Sequence, residues 1–106
     1  MAAVADYGAA LALDPKTWEA WASRAVLHYE AGRLSDSLRD VSEALRLKPD
    51  SPDLYLNRAI VLADIGSRSQ AVADLHSALA LGPAPEDKSV ILSKLASYSA
   101  LDFCNN

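Results

Sequence analysis

Apolar side chains recur at steps of three and four residues along most of the chain, which is typical of amphipathic helices. The first such face consists of Trp18, Trp21, Ala25 and His28. Gly32 then interrupts the pattern, as glycine often does where a helix ends with a positive φ. A second face follows, with Leu34, Leu38, Val41 and Leu45. Ser35 is the predicted cap of this second helix, and Pro49 ends it.

The second half of the chain follows the same plan. Ser51 and Pro52 predict a helix start, because serine caps the first turn and proline needs no hydrogen-bond acceptor there. The apolar face of this helix comprises Tyr55, Ala59 and Leu62, and Gly66 ends it. The next face comprises Val72, Leu75 and Leu79, and Pro83 ends it. The pattern therefore predicts successive helical hairpins.

The chain superposes on itself with a 34-residue period. Five residues recur three times at this spacing, in the series that begin at Asp6, Ala10, Leu11, Leu13 and Pro15. Four more recur twice, as Arg24 and Arg58, Ala25 and Ala59, Gly32 and Gly66, and Ser35 and Ser69. A fixed period of this length is the signature of stacked supersecondary repeats.

Small and large residues alternate in a way that suits packed hairpins. Ala25 is predicted to face Ala44 where two helices cross, since a larger side chain would push the helix axes apart. Ala59 and Ala78 form the corresponding pair in the second repeat. The aromatic residues at the shared position, Trp21 and Tyr55, are predicted to fill the gap between neighbouring hairpins.

These residues resemble the tetratricopeptide repeat, a 34-residue helix–turn–helix unit with a large aromatic, three small residues, a glycine and a proline at fixed places. The first repeat fills those places with Trp21, Ala25, Gly32, Ser37, Ala44 and Pro49. The second fills them with Tyr55, Ala59, Gly66, Ala71, Ala78 and Pro83. The resemblance implies an all-α fold of about six helices, a right-handed α–α superhelix built as a tetratricopeptide-type solenoid of helical hairpins.

The predicted organisation is a single domain, residues 1–106. It contains two complete repeats, at 18–51 and 52–85. Residues 1–15 match only the second helix of a repeat, so we expect either a longer array or a lone helix that caps the stack. Residues 86–101 are predicted to form a C-terminal capping helix or a partial third repeat, which covers the last apolar face. Residues 102–106 are expected to fray.

Charge and composition narrow the function classes. The formal net charge of −4 disfavours nucleic acid as a partner. No apolar run approaches the ~20 residues that cross a bilayer, and residues 1–13 lack the basic start of a signal peptide. We therefore predict a soluble cytoplasmic protein that does not bind membranes.

The residues that could carry catalysis or hold a metal are few and scattered. Cys104 is the one cysteine, too few for a disulfide or a cysteine cage. His28 is predicted to point inward and His76 outward, and they are not spaced as zinc ligands. The glycines form no phosphate-binding loop. The sequence thus predicts no enzyme activity, no cofactor and no metal.

The family resemblance implies that the first helix of each repeat lines a concave groove. In the first repeat the implied groove residues are Glu19, Ala22, Ser23, Val26, Tyr29 and Glu30. In the second they are Asp53, Leu56, Asn57, Ile60, Ala63 and Asp64. The terminal helix is expected to add Asp87, Val90, Ile91 and Lys94.

The charges in this set predict the kind of ligand. Carboxylates rim the groove around an apolar floor, while Arg33, Arg39, Arg46 and Lys48 lie on or beside the second helix, on a more basic outer face. We therefore expect a protein–protein interaction scaffold whose groove binds a peptide with apolar and lysine or arginine residues. The alternative is that these charges only solvate the helices.

Other functions stay open at this stage. Asn57 resembles an asparagine of the chaperone-tail binders, which grip a C-terminal carboxylate, but Ala22, Val26, Asp87 and Ile91 depart from that clamp. Self-association is a second alternative, through an exposed apolar side of the N-terminal helix formed by Val4, Tyr7 and Leu11. The chain is also compatible with an accessory or regulatory segment of a larger enzyme, and with binding of single-stranded RNA.

Overall fold

The computed structural model describes the backbone of residues 2–104 and the side chains of residues 7–99. Over the described backbone the chain forms six α-helices and no strand. They are α1 Ala2–Leu13, α2 Trp18–Glu30, α3 Leu34–Leu47, α4 Pro52–Ile65, α5 Arg68–Ala80 and α6 Pro85–Cys104. The predicted all-α class and the number of helices are therefore confirmed.

The helices fall into two compact units, Met1–Asp50 and Ser51–Asn106, called here the first and second unit. In the first unit α2 packs against both α1 and α3. Its core contains Leu11, Ala20, Ala25, Val41, Ala44 and Leu45. Ala44 is fully buried and Ala25 nearly so, as expected where two helices approach closely.

The N-terminal helix buries one residue of the apolar side that the sequence led us to expect on its surface. Leu11 is only 6% exposed, because α1 packs on α2, and Tyr7 is half-buried. The prediction that Leu11 is free to dock on another molecule is therefore wrong. Val4 lies outside the described side chains.

Trp21 joins the start of α2 to the segment that precedes it. Its indole N–H donates a hydrogen bond to the carbonyl oxygen of Pro15 at 2.8 Å. The ring is half-buried, so it combines apolar packing with a satisfied polar atom. This contact helps to fix the angle at which the chain enters α2.

The turn between α2 and α3 depends on Gly32, which has a φ of +81°. Arg33, rather than the predicted Ser35, is the residue before α3, and its side chain makes no capping bond. Since the tight turn brings Leu34 directly into helical geometry, Ser35 is already inside the helix. Ser37 instead links the hairpin, because its hydroxyl donates to the carbonyl oxygen of Ala25 at 2.7 Å.

In the second unit α4 packs against α5, and α6 packs on both of them. The Ser51 hydroxyl accepts a bond from the Leu54 amide at 3.4 Å, with Pro52 in the first turn. Gly66 ends α4 with a φ of +107°. The predictions for both ends of α4 are thus confirmed. The core of this unit contains Leu54, Ala59, Val61, Leu62, Ala71, Leu75, Ala78 and Ile91.

None of the helices in the described part of the chain is long and apolar enough to cross a membrane.

Candidate functional site

The five groove residues predicted in the first unit lie on α2. Glu19, Ser23, Val26 and Glu30 follow one another at steps of four, three and four residues, so they share one face of the helix. Glu19 and Glu30 are exposed at its two ends, and Val26 is 43% exposed between them. Ser23 and Tyr29 are half-buried. This face therefore combines two carboxylates, hydroxyl groups and an accessible apolar side chain.

The other five predicted residues repeat this arrangement on α4 in the second unit. Asp53, Asn57, Ile60 and Asp64 follow the same steps, and Leu56 lies next to Asn57 in the sequence. Asp53 and Asp64 are exposed, whereas Leu56, Asn57 and Ile60 are half-buried. The amide of Asn57 can both donate and accept hydrogen bonds. The ten predicted residues thus form two sets of five, one on each unit.

In the second unit α6 adds to the surface near α4. Burial raises the pKa of the Tyr98 phenol, and the negative charge of Asp64 raises it further. Val90 is 43% exposed, and Asp87 and Lys94 are half-buried.

Ile91 is fully buried, so its prediction as a groove residue is wrong. The prediction assumed that α6 exposes to solvent the same helix face as α2 and α4. Because α6 packs on both α4 and α5, Ile91 becomes part of the core of the second unit.

The cations of α3 and its flanks are paired, which changes the outer face expected from the sequence. Arg46 forms an ion pair with Glu43, and the bond from Arg46 lowers the pKa of the Glu43 carboxyl. Arg39 lies 3.5 Å from Asp36, and Lys48 lies 3.2 Å from Asp50. The positive charge predicted for this face is therefore offset locally by carboxylates.

Two buried ion pairs were not predicted. Arg24 donates to both oxygens of Asp40, from Nε at 2.7 Å and from Nη2 at 2.9 Å. Arg58 makes the same two bonds to Asp74 at the same distances. Asp40 is fully buried and Asp74 is 6% exposed. The signal in the sequence was the recurrence of both charges at the 34-residue period, with a constant separation of 16 within each pair.

These pairs also position the candidate faces. The guanidinium of Arg24 lies 5.0 Å from the centre of the Trp21 ring, and that of Arg58 lies 5.7 Å from the Tyr55 ring. Each hydrogen bond to the carboxylate raises the pKa of the arginine. A planar guanidinium held at two oxygens and over a ring has little rotational freedom. Its helix is therefore fixed in orientation against the helix that carries the aspartate.

The candidate faces offer chemistry for recognition: carboxylates, hydroxyl and amide groups, and apolar patches. No group of three or more histidine, cysteine, aspartate or glutamate side chains that could hold a metal ion occurs among residues 7–99. His28 is buried in the first unit and His76 is exposed in the second, as predicted.

The comparison with known families gives one match, to the tetratricopeptide repeat, over residues 1–52. No curated protein sequence matches the chain.

Three solved structures illustrate the similarity of fold. The first tetratricopeptide repeat of Spaghetti (RPAP3), bound to the HSP90 peptide SRMEEVD, aligns with a TM-score of 0.84 at 17% identity, over 92% of this chain and 75% of that one. MamA aligns with a TM-score of 0.80 at 20% identity over 90% of this chain, which spans only 54% of MamA. The Yersinia enterocolitica type III secretion translocator chaperone SycD aligns with a TM-score of 0.82 at 18% identity, over 91% and 76%.

The TM-scores of 0.84 and 0.80 establish the fold, an all-α solenoid of helical hairpins. The family match over residues 1–52 and the 34-residue period that continues beyond it support the assignment of the chain to the tetratricopeptide repeat family.

Proposed function

We propose that this chain is a protein-interaction module that binds a peptide segment with the α2 and α4 faces, in a concave groove with an acidic rim. The observation that carries the proposal is the repetition of one face at the 34-residue period. In each case exposed carboxylates stand at both ends of the helix, with accessible apolar and hydrogen-bonding side chains between them. Such a combination suits an extended chain with alternating charged and apolar residues.

The charge of the faces supports a basic ligand. Glu19, Glu30, Asp53 and Asp64 are all exposed, and the chain has a net charge of −4. The peptide bound by Spaghetti, SRMEEVD, contains three acidic residues. Four exposed carboxylates would repel such a peptide, whereas they favour lysine or arginine beside apolar anchors.

The organisation of the chain is part of the same proposal. The hairpin α2–α3 falls within residues 18–51, and α4–α5 falls within 52–85, which supports repeats with these limits. α6 would then act as the capping helix. The cytoplasmic location and a role within a larger protein stay predictions.

The alternative of self-association through the N-terminal helix is not favoured. Leu11, one of the three side chains on which it depended, is buried against the rest of the first unit.

The test compares binding of two short labelled peptides, one of leucine and lysine and one in which glutamate replaces each lysine. Fluorescence anisotropy should show binding of the lysine peptide only. The double variant Glu30→Lys with Asp64→Lys should weaken that binding by about tenfold or more, since two favourable charges become repulsive. Both residues lie in the last turn of a helix, where a lysine is well tolerated.

The matched control is Asp14→Lys with Asp50→Lys, which changes the net charge equally. Both carboxylates are exposed and follow the ends of α1 and α3, and neither belongs to the predicted faces. The control should retain the affinity of the wild-type protein. Equal losses in the two double variants, or tighter binding of the glutamate peptide, would refute the proposed acidic binding surface.

A further inference from the structure

One side of α6 packs on α4 and α5, and another side, called here the uncovered face, lies open. On the uncovered face Leu92 is 48% exposed, and Ser93 and Ala96 are exposed next to it. Between residues 89 and 99 the one charged residue of the sequence is Lys94, which is half-buried. Since the solvent side of a helix usually carries charged side chains, the uncovered face is unlike a surface that meets only water.

The three residues of the uncovered face have counterparts in α2 and α4, related by the 34-residue period. In the order Leu92, Ser93 and Ala96, these counterparts are Arg24, Ala25 and His28 on α2, and Arg58, Ala59 and Leu62 on α4. The counterparts of Ser93 and Ala96 are all buried, because α3 covers α2 and α5 covers α4. The uncovered face of α6 therefore corresponds to the surface on which a second helix packs in each complete hairpin.

The chain does not turn back at α6 to cover this face. α2 and α4 end next to Gly32 and Gly66, whose φ angles of +81° and +107° begin the turn to the second helix. The equivalent residue of α6 is Ala100, and the backbone there stays helical through Cys104. Because the turn is missing at this position, a helix that covers the face in the same way must come from another molecule.

A second copy of this chain does not suit the uncovered face. In the complete hairpins the covering helix presents Asp40 or Asp74 to an arginine of the first helix. The residue at the same position of α1 is also an aspartate, Asp6. On α6 the arginine is replaced by Leu92. Any of these three helices would therefore bury a carboxylate against an aliphatic side chain, which is costly without a cation.

We propose that the uncovered face of α6 binds an amphipathic helix of a partner protein, with small residues seven positions apart and an apolar residue between them, opposite Leu92. The small residues take the places of Ser37 and Ala44 on α3, or Ala71 and Ala78 on α5, which are buried where the two helices of a hairpin meet. The apolar residue takes the place of the aspartate. Such a helix completes a third hairpin, and its binding does not involve the peptide-binding faces proposed for α2 and α4.

Two synthetic peptides of residues 67–81, which include α5, test this pairing. One keeps Asp74 and the other carries Asp74→Leu. Because short helices are marginal in water, the same covalent staple joins positions 69 and 73, which are exposed on α5. Fluorescence anisotropy with the whole chain should show binding of the leucine peptide about tenfold or more tighter than that of the aspartate peptide, which buries a carboxylate without a cation. Failure of the leucine peptide to bind, or equal affinities, would overturn the inference.

The matched control is Leu92→Arg, which restores the arginine of the two complete hairpins at an exposed site. This variant should prefer the aspartate peptide to the leucine peptide, a reversal that non-specific adhesion of an apolar helix would not produce. In the wild-type protein, the leucine peptide should shift the NMR amide signals of Leu92, Ser93 and Ala96. An unchanged preference in Leu92→Arg, or shifts confined to α4, would contradict binding at the uncovered face.

Light scattering tests the other occupant, a second copy of the chain. The mass in solution should be the same for the wild-type protein and Leu92→Arg at every concentration. A wild-type dimer that the substitution abolishes would assign the uncovered face to self-association instead. None of these experiments uses the leucine–lysine peptide, so this inference and the proposed function can fail independently.

Discussion

A fully buried aspartate is an expensive residue unless it is paired, and Asp40 is paired at both oxygens by Arg24. Arginine suits this role because its planar group matches a carboxylate at two points, which lysine cannot do. The part of the chain with described side chains has no buried side-chain nitrogen or oxygen without a hydrogen-bond partner. At this scale, polar contacts inside each hairpin contribute to orientation as well as to stability.

The cost of breaking the Arg24–Asp40 pair depends on which residues are removed. Arg24→Met leaves the buried carboxylate without its main partner, which should destabilise the protein by about 3–5 kcal/mol. Asp40→Leu should be similarly unfavourable because it leaves the guanidinium unpaired. The double variant should lose less than the sum of the two, because no charge is stranded. Urea unfolding of the four proteins gives the coupling energy, and strict additivity would show that the pair is not energetically coupled.

Helix ends were predictable where a local signal determines them. Ser51 with Pro52 begins α4, and Gly66 ends it at a φ that glycine adopts readily. Serine favours helix caps and so predicts a start of α3 at Ser35, but the cap lies two residues earlier, at Arg33, because the preceding glycine turn controls the geometry. The two arginine–aspartate ion pairs could not be predicted from local spacing, because the partners of each pair are 16 residues apart and lie on different helices. The burial of Ile91 depends on how α6 packs, which the periodicity of α6 does not reveal.

Where α6 contacts α4, Tyr98 should make the stability of the protein depend on pH in alkaline solution. The raised pKa of Tyr98 means that folding favours the neutral phenol. Stability from this group is present below the pKa of an unfolded tyrosine, about 10, and is lost as pH rises through the higher pKa of the folded state. Between about pH 9 and pH 11, the free energy of unfolding should fall more steeply in the wild-type protein than in Tyr98→Phe. Identical slopes would show that the Tyr98 phenol titrates alike in the folded and unfolded protein.

For the molecule as a whole, the 34-residue recurrence predicted the family and the fold because each repeat contributes an equivalent face and an equivalent core. The resemblance to the family, rather than the recurrence itself, implied the two matching sets of candidate binding residues, which lie on α2 and α4. The recurrence does not name a ligand, since members of such a family share the helices and differ in the side chains that the helices present. The partner class proposed for this chain therefore rests only on the charge and exposure of the α2 and α4 faces.

Salt should separate the charged from the apolar part of peptide binding. Raising the salt concentration from about 0.05 M to about 0.5 M shortens the screening length to a few ångströms. The dissociation constant of the leucine–lysine peptide should rise severalfold while residual binding by apolar contacts persists. Glu30→Lys with Asp64→Lys should have a weaker salt dependence or one of opposite sign. An affinity that does not change with salt would show that the acidic rim does not contribute to peptide binding.

The indole of Trp21, hydrogen-bonded to Pro15 and covered by the Arg24 guanidinium, has a consequence for spectroscopy. Both tryptophans of the chain, Trp18 and Trp21, belong to the first unit. Their emission therefore reports on that unit alone, whereas circular dichroism averages over every helix. A comparison of the two signals during denaturation distinguishes concerted from sequential melting without any label or added probe.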